Sequence, residues 1–358
     1  MYKERQVSSA IDDMACSQRE DSRSAPMVKW YALALIALPC AANATGAQLY
    51  GLADAYVGST HLSGQRSAIG VESGGLQTSF WGMTGSEDLG AGLKANYRLE
   101  GFFLTDTGAN GRAPTDGLFA RNAYVGLENG FGEVRLGRLA NPTYLATALF
   151  DAFSGSTKFS PFENVLWTPQ QGRFIAGDTA WNNAFGYYSP EFSGVSFRGL
   201  YSLGEQSGTN SQNNAVGMLL YDRGPFSASF AIQRTRLGPG LPAGSWAQTA
   251  MVGGLSYDYK AIKLLTEYAH TSTSGASTMT DTLQVGVQIP VGSGKILASA
   301  VSSRVRSDVM ADYRRHGLSG GYDYALSTRT DLYVATMFDK VAGKGSGTSL
   351  ALGMRQKF

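Results

Sequence analysis

The chain is poor in charge, poor in histidine and, over most of its length, without cysteine. Only 16% of its 358 residues are Asp, Glu, Lys or Arg, against about 25% in an ordinary soluble domain. The net charge is +2 and no block of Lys or Arg stands out, which excludes a nucleic-acid partner held through phosphate contacts. Both cysteines, Cys16 and Cys40, lie near the start, so no disulfide framework or thiolate nucleophile can be built beyond them. His61, His270 and His316 fall in or near separate loops, and no H-E-x-x-H motif occurs. An enzyme built on a positioned base is therefore not expected, nor is a metal or a cofactor. Past Thr45 no apolar run reaches the ~20 residues of a membrane-spanning helix.

What is present begins with a processing signal. Lys29 is followed by an apolar run from Trp30 to Leu38 and then by Ala42-Asn43-Ala44, the form of an export signal with its cleavage site. Residues 27–44 are assigned to that signal, 1–26 to an upstream extension and 45–358 to the folded domain. Pro39 disfavours lipidation of Cys40.

From there the sequence alternates with period two. In "GLKANYRLEG", Leu93, Ala95, Tyr97 and Leu99 share one face, and Lys94, Asn96, Arg98 and Glu100 share the other. Sixteen such segments occur, among them 75–84, 116–128 and 347–358, and no helix of 3.6-residue period is evident. Short and long connections alternate between them, and aromatic residues gather near segment ends. Tight turns at one end, longer loops at the other and aromatic girdles describe an all-β, antiparallel transmembrane barrel. The 45 glycines fit strongly coiled strands. Lys94, Arg98, Glu100 and Arg135 are candidate lumen-wall residues. The ending "TSLALGMRQKF" places Leu350, Leu352, Met354 and Phe358 on the lipid-facing parity, so the last residue belongs to the closing strand.

Several motifs carry a family resemblance: "LYGLADAY" (49–56), "GMTGSEDLGAGLKANYRLEGFF" (82–103), "FARNAYVGLENGFGEVRLGR" (119–138) and "YYSPEFSGVSFRGLYSLGE" (187–205). Together with the terminal Phe358, the chain resembles the general trimeric outer-membrane porins of β-proteobacteria. That resemblance implies a sixteen-stranded barrel in the outer membrane of a Gram-negative cell. It also implies a homotrimer among lipid, a third loop folded into the lumen, and a terminal Phe358 read by the barrel-assembly machinery. The implied function is passive diffusion of ions and small hydrophilic solutes. A substrate-selective porin for a sugar or an aromatic acid is the alternative, and a plugged adhesin a more distant one.

The long connection 141–181 fits the third loop independently, because it is rich in aromatic residues that can pack on a wall. In the family, acids on this loop face arginines across a constriction. Asp151 and Glu163 are the acids expected there, and Arg121 the retained arginine. Alternation with Phe119, Ala123, Val125 and Leu127 would point Arg121 at lipid, so a local irregularity must turn it inward. Phe80 and Trp181 stand where the family pattern has arginines, which implies a constriction less basic than that of its relatives.

Overall fold

A computed structural model of the chain describes residues 44–168, 173–204, 213–236, 238–241 and 243–358. The expected extension and the bulk of the export signal, 1–43, lie outside the described residues. Seventeen strands form a single antiparallel sheet. They are β1 (Ala44–Thr60), β2 (Ala68–Ser73), β3 (Phe80–Gly90), β4 (Leu93–Phe102), β5 (Asn122–Asn129), β6 (Gly132–Ala140), β7 (Ala180–Tyr188) and β8 (Val195–Ser202). There follow β9 (Asn214–Arg223), β10 (Phe226–Thr235), β11 (Ala247–Asp258), β12 (Lys263–Ser274), β13 (Thr278–Val291), β14 (Gly294–Ser307), β15 (Tyr313–Ala325), β16 (Thr330–Val341) and β17 (Gly347–Lys357).

β2 and β3 share one edge of β1. β2 pairs with Ala55–Thr60 and β3 with Ala44–Leu52. They occupy one position around the wall, so the seventeen strands make a sixteen-stranded barrel. β17 takes the other edge of β1, from Leu52↔Lys357 to Ser59↔Leu350, and closes it. Phe358 extends this closure by exchanging two backbone hydrogen bonds of 3.0 Å with Gly51. Its ring lies over Gly51, where an added Cβ would stand 2.5 Å from it; only glycine leaves that space.

The alternation expected from sequence sorts residues between lipid and lumen. Leu350, Leu352, Met354 and Phe358 are half or more exposed on the outer face, while Ala351 is fully covered. On β4, Arg98 and Glu100 turn inward and are buried.

The segment expected as one strand over 75–84 is instead broken. Residues 74–79 leave the ladder between β2 and β3, and Asp54 of β1 captures them. Its carboxylate accepts hydrogen bonds from the backbone N–H groups of Gly75, Leu76 and Gln77 (2.8–3.0 Å) and from the Tyr333 hydroxyl (2.6 Å). Peptide groups freed from the sheet are thereby satisfied within the wall. The strand expected over 116–128 also begins late, at Asn122.

Two short helices appear where no helix was expected: α1 (Pro142–Leu149) and α2 (Pro161–Trp167). Each is about two turns long, too short to show a period. Each opens with a capping side chain followed by proline, Asn141-Pro142 and Ser160-Pro161.

Asp54→Asn is expected to destabilise the barrel by about 2–3 kcal/mol, because charge-assisted bonds to three N–H groups weaken together. Tyr333→Phe, which removes one partner, should cost about half as much. Urea unfolding in lipid vesicles, followed by tryptophan fluorescence, checks both; equal and negligible effects would count against the Asp54 anchor.

Candidate pore constriction

The described parts of the third loop, 141–168 and 173–179, run inside the barrel. α1 packs against β8–β11 and α2 against β14 and β15. Phe153 and Phe159 enter a buried cluster with Tyr56, Leu76, Tyr333 and Met337 of the wall, and the Phe159 ring meets Tyr56 edge-on at 5.6 Å. Glycines on the inner face form seats for the loop. A Cβ at Gly254 would stand 2.4 Å from the Phe150 ring, and one at Gly317 2.7 Å from Pro161. The loop so covers one side of the lumen, and the inner faces of β3–β7 remain opposite.

That opposite wall carries arginines. Arg121 precedes β5 rather than lying in it, so strand parity does not bind it, and it turns inward. Its Nη1 stands 2.6 Å from Glu100 Oε2, an ion pair set off the N–H direction, and its guanidinium lies 4.0 Å from the centre of the Phe80 ring. Glu100, fully covered, also accepts from the Tyr50 hydroxyl (2.5 Å) and from Asn122 Nδ2. Phe80 is thus a platform for Arg121 rather than a replacement for a missing base. Arg135 forms a two-point pair with Glu133 (2.5 and 2.7 Å) and sits between the rings of Tyr124 and Tyr188, at 4.5 and 4.1 Å. Lys94 and Arg98 share the lumen parity of β4.

Arg138 was not foreseen. Alternation from Arg135 sends it outward, and the β5–β6 ladder keeps that parity, with Arg138 opposite Ala123 while Leu139 joins the inner cluster. There it donates to the Ala120 carbonyl (2.6 Å), to Asn182 Oδ1 (2.6 Å) and to Asp178 (2.7 Å). Arg112 reaches the same Asp178 at 3.2 Å while pairing with Asp116 at 2.8 Å. Burial pushes the Asp178 carboxyl up, but the two guanidiniums prevail and hold it below its usual range.

The two acids expected to face these arginines do not. Asp151 is 2% exposed and Glu163 is fully covered: both point behind the loop, toward the barrel wall. The turn after α1 directs Asp151 toward the wall, where Oδ2 accepts from the Gly155 N–H (2.9 Å) and Oδ1 from Gln284 of β13 (3.3 Å). Gln284 also donates to Glu267 of β12 at 2.8 Å. Neither Glu163 oxygen has a hydrogen-bond partner among the described residues, and the Thr147 hydroxyl on α1 donates to the Tyr144 carbonyl instead. Burial raises Asp151 to about 6. It raises Glu163 well above its ordinary range, with the charge of Asp151 adding to the effect.

Trp181 is likewise not at the water. It is 3% exposed and packs with Tyr124, Leu139, Ala184, Leu200 and Val216, opposite the register shift. The run Gly317–Gly321 spells G-x-S-x-G, but it continues straight along β15 with Ser319 covered. It therefore lacks the strand–turn–helix setting of a nucleophile.

A closed barrel of this size with a long loop folded inside is the architecture of diffusion channels, and the comparisons agree. The family model described as Gram-negative porin matches residues 32–344. The chain belongs to the Gram-negative porin family. This porin is 32% identical to outer membrane porin protein 32 of Delftia acidovorans, over 84% of its own length and 86% of the relative's. It is 34% identical to a major outer membrane protein P.IB of Neisseria gonorrhoeae over 58% of this chain and 57% of that one. Among solved structures, an anion-selective porin from Comamonas acidovorans superposes with a TM-score of 0.72 at 28% identity, covering 88% of this chain and all of the other. The porin is an outer-membrane channel for passive solute diffusion. Family and fold point to a channel rather than to a catalyst.

The buried loop acids make a pH dependence with a definite sign. Unfolded, Asp and Glu titrate near 4; here the folded-state values are raised. Above pH ~4 the folded loop therefore binds more protons than the released one, and its anchoring weakens as pH rises. Each ionising group costs up to about 1.4 kcal/mol per pH unit across that window. Hydrogen exchange of α1 and α2, corrected for intrinsic rates, should show protection falling from pH 5.5 to pH 8. Glu163→Gln should flatten the trend and exceed wild type at pH 8. Protection that rises with pH would contradict the buried placement.

Proposed function

We propose that the constriction of this porin is one-sided in charge and favours small hydrophilic anions. The observation that carries this reading is the withdrawal of all three carboxylates of the third loop. Asp151 and Glu163 are buried behind it, and Asp178 is bound by Arg112 and Arg138. Among the described loop residues, those left accessible include Tyr144, Leu149, Ser154, Thr157, Lys158 and Arg173, while Arg121 and Arg135 line the far side. A channel whose fixed charges have one sign selects for the other. The anion-selective relative from Comamonas acidovorans supports the same direction.

A second reading is a porin selective for aromatic acids. Arg112, Arg121 and Arg135 each lie on an aromatic ring, and a carboxylate on a flat ring could use both surfaces. Saturable flux of benzoate, against linear flux of chloride, would favour it.

The assembly we propose is a homotrimer in outer-membrane lipid, and a trimeric form is known for the structurally similar OmpT of Vibrio cholerae. Phe358 is proposed to be read by the barrel-assembly machinery. Its deletion should lower folded, heat-modifiable protein in cells by far more than it lowers refolding of purified chain, where only two backbone bonds of about 1 kcal/mol each are lost. Equal losses in the two settings would leave Phe358 a closing residue without a recognition role.

Reversal potentials across a planar bilayer under a KCl gradient test the charge reading. Wild type should be anion-selective. Arg121→Gln removes one of the two arginines beside Glu100 and should shift the permeability ratio toward cations, by roughly fivefold for an interaction of about 1 kcal/mol. Phe80→Arg should shift it the other way. A cation-selective wild type, or two silent variants, would overturn the assignment.

A further inference from the structure

On the outer face of the barrel, at the long-loop end, strands β12–β16 carry a cluster of cations on the lipid-facing parity. Arg304 of β14 and Arg314 of β15 are directly opposite each other in the ladder. So are His316 of β15 and Lys340 of β16. Arg304, Arg314 and His316 are exposed. Neither arginine's side chain makes a hydrogen bond or ion pair among the described residues. Like charges directly across a strand pair destabilise it, so this arrangement calls for a counter-ion.

The acids within reach do not supply one. Asp281 of β13 faces Arg304 in register, but its carboxylate is taken by the Tyr268 hydroxyl (2.7 Å), His270 Nδ1 (2.8 Å) and Arg306. Asp308 and Asp312 lie beyond the strand ends, in the connection to β15, where Asp312 accepts from the Ser307 N–H at 3.2 Å.

The height of the cluster matters. On β13 the outward residues from Leu283 to Ile289 are apolar, and Asp281 ends that run. Eight residues of tilted strand, Ile289 to Asp281, rise about 20 Å. The cations therefore stand at the edge of the ~25 Å apolar band of such barrels, where headgroups meet the protein. Beside them lies a shallow cleft of about 550 Å³ lined by Phe230, Met251, Gly253, Tyr268, His270 and Asp281. Gly253 opens the gap, and Phe230, Met251 and Tyr268 give it an apolar floor exposed to the membrane.

We infer that this face holds a phosphate-bearing headgroup of an anionic membrane lipid, with the phosphate between Arg304 and Arg314 and part of an acyl chain along the cleft. Only a molecule lying in the membrane plane reaches both. A second copy presenting the same face brings no free counter-ion, since Asp281 is already engaged by Tyr268, His270 and Arg306.

Native mass spectrometry of the full folded protein from an uncharged detergent tests this with dioleoyl phosphatidic acid and dioleoyl phosphatidylcholine. Wild type should retain phosphatidic acid preferentially, and the preference should fall roughly fivefold for each arginine lost in Arg304→Gln and Arg304→Gln/Arg314→Gln. Arg223→Gln/Lys260→Gln, at the opposite end of the barrel, should keep it. In lipid-free detergent, Arg304→Gln should raise the melting temperature by relieving the like-charge pair, and added phosphatidic acid should stabilise wild type more than the variant. Equal retention of the two lipids by wild type overturns the inference without needing any variant. Full displacement of phosphatidic acid by glycerol phosphate overturns the lipid assignment in favour of a soluble anion. A change in oligomeric state on Arg304→Gln, with lipid retention unchanged, overturns it in favour of a protein contact.

Discussion

A peptide group left unpaired in hydrocarbon costs several kcal/mol, so a sheet in a membrane must have no free edge. In this chain the requirement converges on β1. Its one edge is filled by β17, and its other edge is filled in two pieces, by β3 below and β2 above. The discontinuity between those pieces would expose unpaired peptides, and Asp54 sits at that level to receive them. Tyr333 binds the same carboxylate from β16, two strands round the wall. Closure, the split strand and a buried charge are therefore one arrangement.

Once the wall is closed its interior is large, and the third loop fills part of it by the rules of an ordinary protein core. Aromatic side chains enter gaps left by inner-face glycines, as Phe150 does at Gly254. Asp151, Glu163, Glu267 and Gln284 meet where little water reaches. Burying several carboxylates near one another is tolerable only when protons replace counter-ions. The acids thereby stop being pore charges and become part of the loop's attachment. The loop thus presents no free carboxylate to the arginines opposite, whose partners Glu100 and Glu133 lie beside them on the wall.

Arginines are used differently on the two surfaces of the wall. Inside, Arg121 and Arg135 are each held by a carboxylate and by aromatic rings; these contacts fix the guanidinium and leave its remaining surface to solvent. Outside, Arg304 and Arg314 are placed opposite each other with the nearest carboxylate engaged elsewhere. Fixed pairs give a rigid lining, and the unneutralised pair gives affinity for something from outside.

Sequence alone determined the barrel, because a period-two pattern repeated sixteen times depends only on local backbone geometry and on which medium each face meets. It also determined the closing role of Phe358 and the lumen parity of Lys94, Arg98 and Glu100. The capped starts of α1 and α2 were legible as Asn-Pro and Ser-Pro, although two turns of helix are too short to be read from hydrophobic spacing. Tertiary structure alone decided where parity fails: Arg121 is free because its strand starts one residue later. It alone decided that Asp151 and Glu163 face the wall and that Trp181 packs within it. Those outcomes depend on what lies across the barrel, tens to more than a hundred residues away in the chain, and a carboxylate's environment is not written in its neighbours.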